Sequence, residues 1–234
     1  GRALAPAAAV ARREEAFLAD AAHELRTPVA VIRARAEQAL HEQGADAPSA
    51  GALRAIGDAA ERASGTIADM LELARLDARR GRIEREPLRL DLLLEQLVDE
   101  YRDDAERAGA RLELRAAPEA IVRGDERLLQ RAVANLVENA IRYGAVGGEI
   151  TVALERDEAH ARVTVTDSGP GIAPAQRAAI FDRFHRASAA AGGSGLGLPI
   201  ARLIAEAHDG SVALLASAGE RPGATFVITL PLEG

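Results

Sequence analysis

Two segments of this chain carry small or apolar residues at alternating steps of four and three. In the first, Leu18, Ala22, Leu25, Val29, Ile32 and Ala36 keep that alternation, and Leu40 follows. In the second, Leu53, Ile56, Ala60, Ala63, Ile67, Met70 and Ala74 keep it for seven successive positions. A step averaging about 3.5 residues is the seam of a helix packed lengthwise on another helix. The spacing predicts one helix over 12–41 and a second carrying 53–74, joined by the turn-rich stretch EQGADAPSAG, residues 42–51. Two helices so joined make an antiparallel hairpin. One hairpin with narrow seams is a thin core, so two copies pairing into a four-helix bundle is the natural way to cover it. A homodimer is expected.

Beyond a charged linker at 79–90 the texture changes. Residues 91–109 read as an amphipathic helix with Asp91 as cap and Gly109 as terminator. RLELRA and EAIVRG read as short strands, and 125–143 as a second helix stopped by Gly144. EITVALE and ARVTVTD alternate apolar and polar residues and read as adjacent strands. A glycine-rich region over 168–197 holds a short helical patch and leads into a helix to about 208. SVALLAS and ATFVITL are the closing strands. This order predicts an α+β chain: the helical hairpin, then an α/β sandwich with helices on one face of a largely antiparallel sheet.

Composition removes several functions. With 48% hydrophobic residues over 234 positions the chain can bury a core. It has no cysteine, hence no disulfide, thiolate metal site or cysteine nucleophile. A net charge of −7 and an aromatic content of 3% argue against nucleic acid as a partner. No apolar run approaches the roughly 18 residues that span a bilayer, and no signal peptide opens the sequence.

The stretch AAHELRTPVAVI, residues 21–32, puts a proline where the pattern reads as helix interior. Pro28 leaves the carbonyl of Glu24 without its helical donor and marks a hinge. His23 lies one position past the seam, on the exposed flank. A lone helical histidine is ordinarily a surface residue, but here Glu24 adjoins it and Thr27 stands one turn along. A carboxylate that takes one ring proton while the other nitrogen attacks is what a histidine nucleophile needs.

Further on, Asn135, Asn139, Arg142 and Tyr143 share one helix face. That is what a solvated face carries, and also what holds Mg²⁺ on a nucleotide tail, because an amide oxygen is a hard ligand. In TDSGPGI, residues 166–172, Asp167 stands at a strand end before a glycine turn. It can accept from an exocyclic amino group, with Gly169 and Gly171 admitting a base. GGSGLGLPI, residues 192–200, leads into a helix whose N-terminus could bind phosphate, yet its spacing is neither that of a P-loop nor of a dinucleotide fold.

Taken in order, these stretches resemble the sensor histidine kinases of two-component systems. HELRTP looks like the H box, NLVENAIRYG the N box, DSGPGI the G1 box, FDRFHRA the F box and GGSGLGLPI the G2 box. The resemblance implies a dimerisation and histidine-phosphotransfer domain at 12–78 and an ATP-binding domain of the Bergerat (GHKL) type at 91–234. Residues 1–11 would be a linker from an upstream signalling region. It implies that His23 takes the γ-phosphoryl group of ATP, that Glu24 accepts its proton, and that Thr27 orients water against a phosphorylated response regulator. Asn139 would ligate Mg²⁺ with support from Asn135, and Arg142 and Tyr143 would line the phosphate and base regions. Asp167 would read adenine, while Gly169, Gly171, Gly193, Gly195, Leu196 and Gly197 would shape the nucleotide loops.

An aspartate in a receiver domain would be the final acceptor. The resemblance further implies the cytoplasmic portion of a sensor anchored in the inner membrane through an upstream segment. Two rivals share the fold: a predominant response-regulator phosphatase and an ATP-binding conformational scaffold. A third, an ATPase resembling DNA gyrase B, needs a general-base glutamate where Asn135 stands.

Overall fold

The computed structural model describes residues 27–42, 48–78, 83–144, 147–185, 194–215 and 223–233. His23, Glu24 and Gly193 lie outside the described residues, as does the stretch before Thr27 on which the expected hinge depends. The chain divides into two compact units. The first holds the helical segments to residue 78 together with residues 194–196, and the second holds the rest.

In the first unit, helix α1 covers 27–42 and helix α2 Ala50–Ala78. The two small seam residues Ala36 and Ala60 are buried, and Arg33 of α1 pairs with Glu61 of α2. Other expected seam residues stay open: Ile32, Ile56 and Met70 are exposed, as is Val31 beside them. Within one chain the seam is therefore only partly covered.

The second unit is built on a five-stranded sheet. Its strands are β2 (Arg111–Arg115), β4 (Glu149–Arg156), β5 (His160–Asp167), β6 (Ser211–Leu215) and β7 (Thr225–Pro231), in the order β2-β4-β5-β7-β6. β2 and β4 run parallel and every other neighbour antiparallel. Along β5 the residues alternate between half-buried and buried, as a sheet covered on one face requires. Helices α3 (Leu90–Arg107), α4 (Glu126–Tyr143) and α5 (Gly197–Ala207) supply the cover, with α4 in contact with both α3 and α5. The α/β sandwich expected from the pattern is present.

Two local expectations change, the linker and the cap of α3, and one strand pairing is new. The stretch assigned as linker contains β1 (Glu86–Arg89), which pairs antiparallel with β3 (Ile121–Gly124). RLELRA and EAIVRG, although consecutive, pair with β4 and β1 rather than with each other. Asp91 does not cap α3. It sits buried in the first turn, accepting from Arg89 Nε at 2.9 Å and from the Ala120 N–H at 3.4 Å. Hydrogen bonding to the Arg89 guanidinium holds its carboxyl below the usual carboxylate range. A buried charge is tolerated when it is paired in this way.

Candidate functional site

Asp167 is the last residue of β5, an interior strand of the sheet, and is 6% exposed. Its Oδ1 accepts the N–H of Gly169 at 2.8 Å and of Ala224 at 3.3 Å. Oδ2 accepts no hydrogen bond among the described residues. Burial pushes the carboxyl up, and the two backbone donors pull the other way. The side chain is thus aimed by its neighbours while one oxygen stays available to a donor.

The backbone closes tightly around this carboxylate. A Cβ on Gly169 would lie 2.4 Å from the carbonyl oxygen of Tyr143, the last residue of α4. Gly171 is left-handed at φ 74°, and a Cβ there would lie 2.9 Å from the carbonyl oxygen of Gly223. Gly223 in turn has a backbone that leaves 2.2 Å between an added Cβ and the Asp167 carbonyl oxygen. Three chain segments therefore meet at distances only glycine permits: the end of α4, the turn after β5 and the approach to β7.

Helix α4 borders the same turn at its C-terminal end. Asp125 caps it, accepting the Leu128 N–H at 3.1 Å, and Gly144 follows its last residue. Along it Asn135 is buried, Asn139 and Tyr143 are half-buried, and Arg142 is exposed. Asn135 Nδ2 is buried with no hydrogen-bond partner. Its Oδ1 lies 3.2 Å from where a Cβ of Gly197 would stand, so the start of α5 approaches the amide as closely as its backbone allows. A buried donor left unsatisfied is costly and marks a place where a polar group fits.

The structure brings together Asn135, Asn139, Arg142, Tyr143, Asp167, Gly169, Gly171 and Gly197 in one unit. Gly195, left-handed at φ 69°, and fully buried Leu196 belong instead to the helical unit. There Ser194 Oγ donates to Asp69 Oδ2 at 2.7 Å and accepts the Leu196 N–H at 3.2 Å. Thr27 is exposed on α1. The F-box segment is anchored by Phe181, which meets Phe226 of β7 edge-on at 6.3 Å. Gly223 and Ala224, which back Asp167, escape the sequence reading. Their only signal is a glycine just ahead of the last alternating strand.

Does this wall suit a nucleotide with Mg²⁺? Among the described residues no three His, Cys, Asp or Glu side chains cluster as a metal cage. Mg²⁺ needs none, since it commonly keeps waters and shares phosphate oxygens with one or two protein ligands. The amide oxygen of Asn139, the unsatisfied Asn135 amide and the open Asp167 oxygen form a donor and acceptor set that fits.

Both units resemble known proteins. Residues 124–234 match the family model described as "Histidine kinase-, DNA gyrase B-, and HSP90-like ATPase", and residues 13–79 match the "His Kinase A (phospho-acceptor) domain". The chain is 38% identical to the sensor protein kinase PmrB of Pseudomonas aeruginosa over 86% of its own length and 42% of that protein. It is 35% identical to the sensor histidine kinase RppB of Synechocystis over 99% of its length and 52% of that protein. It thus spans about half the length of the curated relatives it matches. Among solved structures, full-length ShkA in complex with AMPPNP aligns at TM-score 0.74 and 26% identity, covering 92% of this chain and 45% of that one. The mycobacterial sensor histidine kinase MprB aligns at TM-score 0.56 and 32% identity, covering 63% of this chain and 99% of that one.

Proposed function

This chain belongs to the sensor histidine kinases, and we propose that it is a protein histidine kinase that phosphorylates His23 from ATP and passes the phosphoryl group to an aspartate of a response regulator. The observation that carries this reading is Asp167. One oxygen is held by two backbone donors and the other accepts no hydrogen bond among the described residues, beside glycines that pack against the end of α4, the helix that also carries an unsatisfied buried asparagine. That arrangement suits the amino edge of adenine on one side and a phosphate tail along α4 on the other.

Phosphoryl transfer asks a protein mainly to position groups and neutralise charge. Asp167 orients the base, and Asn135 and Asn139 hold the tail, with the Asn139 oxygen available to Mg²⁺. Mg²⁺, when bound, neutralises charge on the phosphate oxygens. An imidazole nitrogen of His23 attacks the γ-phosphorus: the N–P bond forms, the bond to the β,γ-bridging oxygen breaks, and Glu24 takes the ring proton. The phosphoryl group then moves from nitrogen to a receiver carboxylate. Thr27, exposed on α1, would orient water in the separate dephosphorylation of the regulator.

The exposed Val31, Ile32, Ile56 and Met70 support a homodimer that completes the helical seam. No helix among the described residues is long and apolar enough to cross a membrane. Relatives named as sensor proteins support a cytoplasmic position for this portion, joined to membrane-bound sensing elements.

The test is incubation with γ-labelled ATP and Mg²⁺. The wild-type chain should acquire an acid-labile, base-stable label, and His23→Gln and Asn139→Ala should not. Label persisting on His23→Gln would sink the assignment of the nucleophile. Nucleotide binding without label in the wild type would favour the scaffold reading.

A further inference from the structure

Just past the end of α5 lies a buried imidazole for which the phosphoryl chemistry has no use. His208 follows Ala207 and is 1% exposed. Two hydrogen bonds fix its tautomer. Nδ1 lies 2.7 Å from the carbonyl oxygen of Ile204, which can only accept, so Nδ1 carries the proton. Nε2 accepts the backbone N–H of Asp125 at 3.0 Å, and a backbone nitrogen can only donate. The ring is neutral with both nitrogens satisfied, and it is closely packed. A Cβ on Gly124 would lie 3.0 Å from its Cδ2.

Asp125 is the cap of α4, so the imidazole ties the end of α5 to the start of α4. The same two helices meet again where Gly197 abuts Asn135. Asp125 and Asn135 are separated by about 15 Å of helix, and Gly197 and His208 by about 16 Å. The helices are therefore antiparallel, meeting where His208 binds the start of α4 and where Gly197 abuts Asn135 midway along it, with Asn139 one turn beyond. The charged groups around the ring are Asp125 from α4, Asp209 just after α5, and Arg85 from the segment before β1. Arg85 pairs with Asp209 and donates to the Ala207 carbonyl at 2.6 Å. β3 adds only Arg123, which pairs with Glu233 at 3.0 Å and donates to the Arg85 carbonyl.

We propose that His208 is a positioning residue for the nucleotide site: its neutral imidazole latches α4 to α5, and protonation releases the Asp125 N–H and weakens nucleotide binding in mild acid. The proposal rests on the reading of the α4 and Asp167 wall as a nucleotide site. Burial, reinforced by Arg85, holds the imidazole below its ordinary range against the opposing pull of the Ile204 carbonyl and the two carboxylates. The sign follows from linkage. Unlatched, His208 takes its proton at the ordinary value of about 6.5; latched, it takes it lower. Between those values the open form binds more protons, so the latched form loses ground as pH falls.

The experiment measures affinity of the intact chain for a non-hydrolysable ATP analogue with Mg²⁺ at about pH 7.5 and about pH 5.5. It compares wild type with His208→Gln, whose side-chain oxygen can accept from Asp125 without titrating, and with His208→Asn, which keeps a donor for Ile204 but no acceptor in reach. Wild type should lose about fivefold more affinity in acid than His208→Gln, the worth of one net hydrogen bond. His208→Asn should bind weakly at both values. Protonation of the ligand is common to all three chains and cancels. Equal pH slopes in wild type and His208→Gln overturn the latch. No binding at the higher pH overturns the nucleotide reading instead. Nitrogen chemical shifts of the unmodified chain decide independently of any variant: a proton on Nδ1 supports the latch, and a proton on Nε2 overturns it.

Discussion

Gly169 is one of the tight points of the proposed nucleotide wall, and a single methyl group tests it. In Gly169→Ala the new Cβ would fall 2.4 Å from a backbone oxygen and 2.8 Å from Asp167 Oδ1. Neither neighbour is the free end of a flexible side chain. The turn must shift, and with it the carboxylate that the Gly169 N–H aims. Overpacking of this kind costs about 1–3 kcal/mol of stability. We expect nucleotide affinity to fall by about tenfold or more while the chain still unfolds cooperatively, read by calorimetric titration beside a urea melt. Unchanged affinity would show that Asp167 does not depend on this turn. The identity of Asp167 as an acid at a strand end was legible in the sequence. That Ala224, 57 residues later, would share in holding the same oxygen was not, because a backbone N–H has no signature in residue type.

At the scale of elements, α4 behaves as its sequence indicates. Asp125 caps it, Gly144 follows it, and Asn135 and Asn139 sit one turn apart on it. Replacing Asp125 by alanine removes the acceptor for the Leu128 N–H and should cost about 1 kcal/mol, seen as a lower urea midpoint with an unchanged slope. The backbone N–H that meets His208 survives that change, so the pH dependence of binding should persist. A loss of pH dependence in Asp125→Ala would count against the imidazole as the switch. α3 shows where local rules fail. Asp91 has the composition of a cap, yet tertiary structure turns it toward Arg89 and Ala120, and the residue at the cap position, Arg89, makes no side-chain cap bond.

For the whole molecule, the helical unit and the sheet unit differ in how complete they are. The sheet unit buries the large side chains of α3, α4 and α5, with Leu94, Leu97, Leu136, Ile200 and Ile204 fully enclosed. The helical unit leaves Val31 and Ile32 about half exposed, at 54% and 50%. If a second copy covers them, the double variant Val31→Lys, Ile32→Lys should shift the chain from dimer toward monomer in sedimentation equilibrium while nucleotide affinity stays within about twofold of wild type. A variant that remains dimeric would place the interface elsewhere on the hairpin.

The sequence by itself determined most of the elements and the residue types at the candidate site. Period 3.5 can only be a helix seam and period two only a half-covered strand, and Asn135, Asn139 and Asp167 carry their chemistry wherever the chain puts them. Tertiary structure decided what depends on partners distant in the chain. It turned part of a linker into β1 by supplying β3, sent β2 to β4, and set Gly223 against Asp167. It also made His208 a neutral bridge between two helices. Periodicity and residue type are local properties that the chain states directly. Strand partners, close backbone approaches and the tautomer of a buried ring arise only when segments far apart in sequence meet and exclude water.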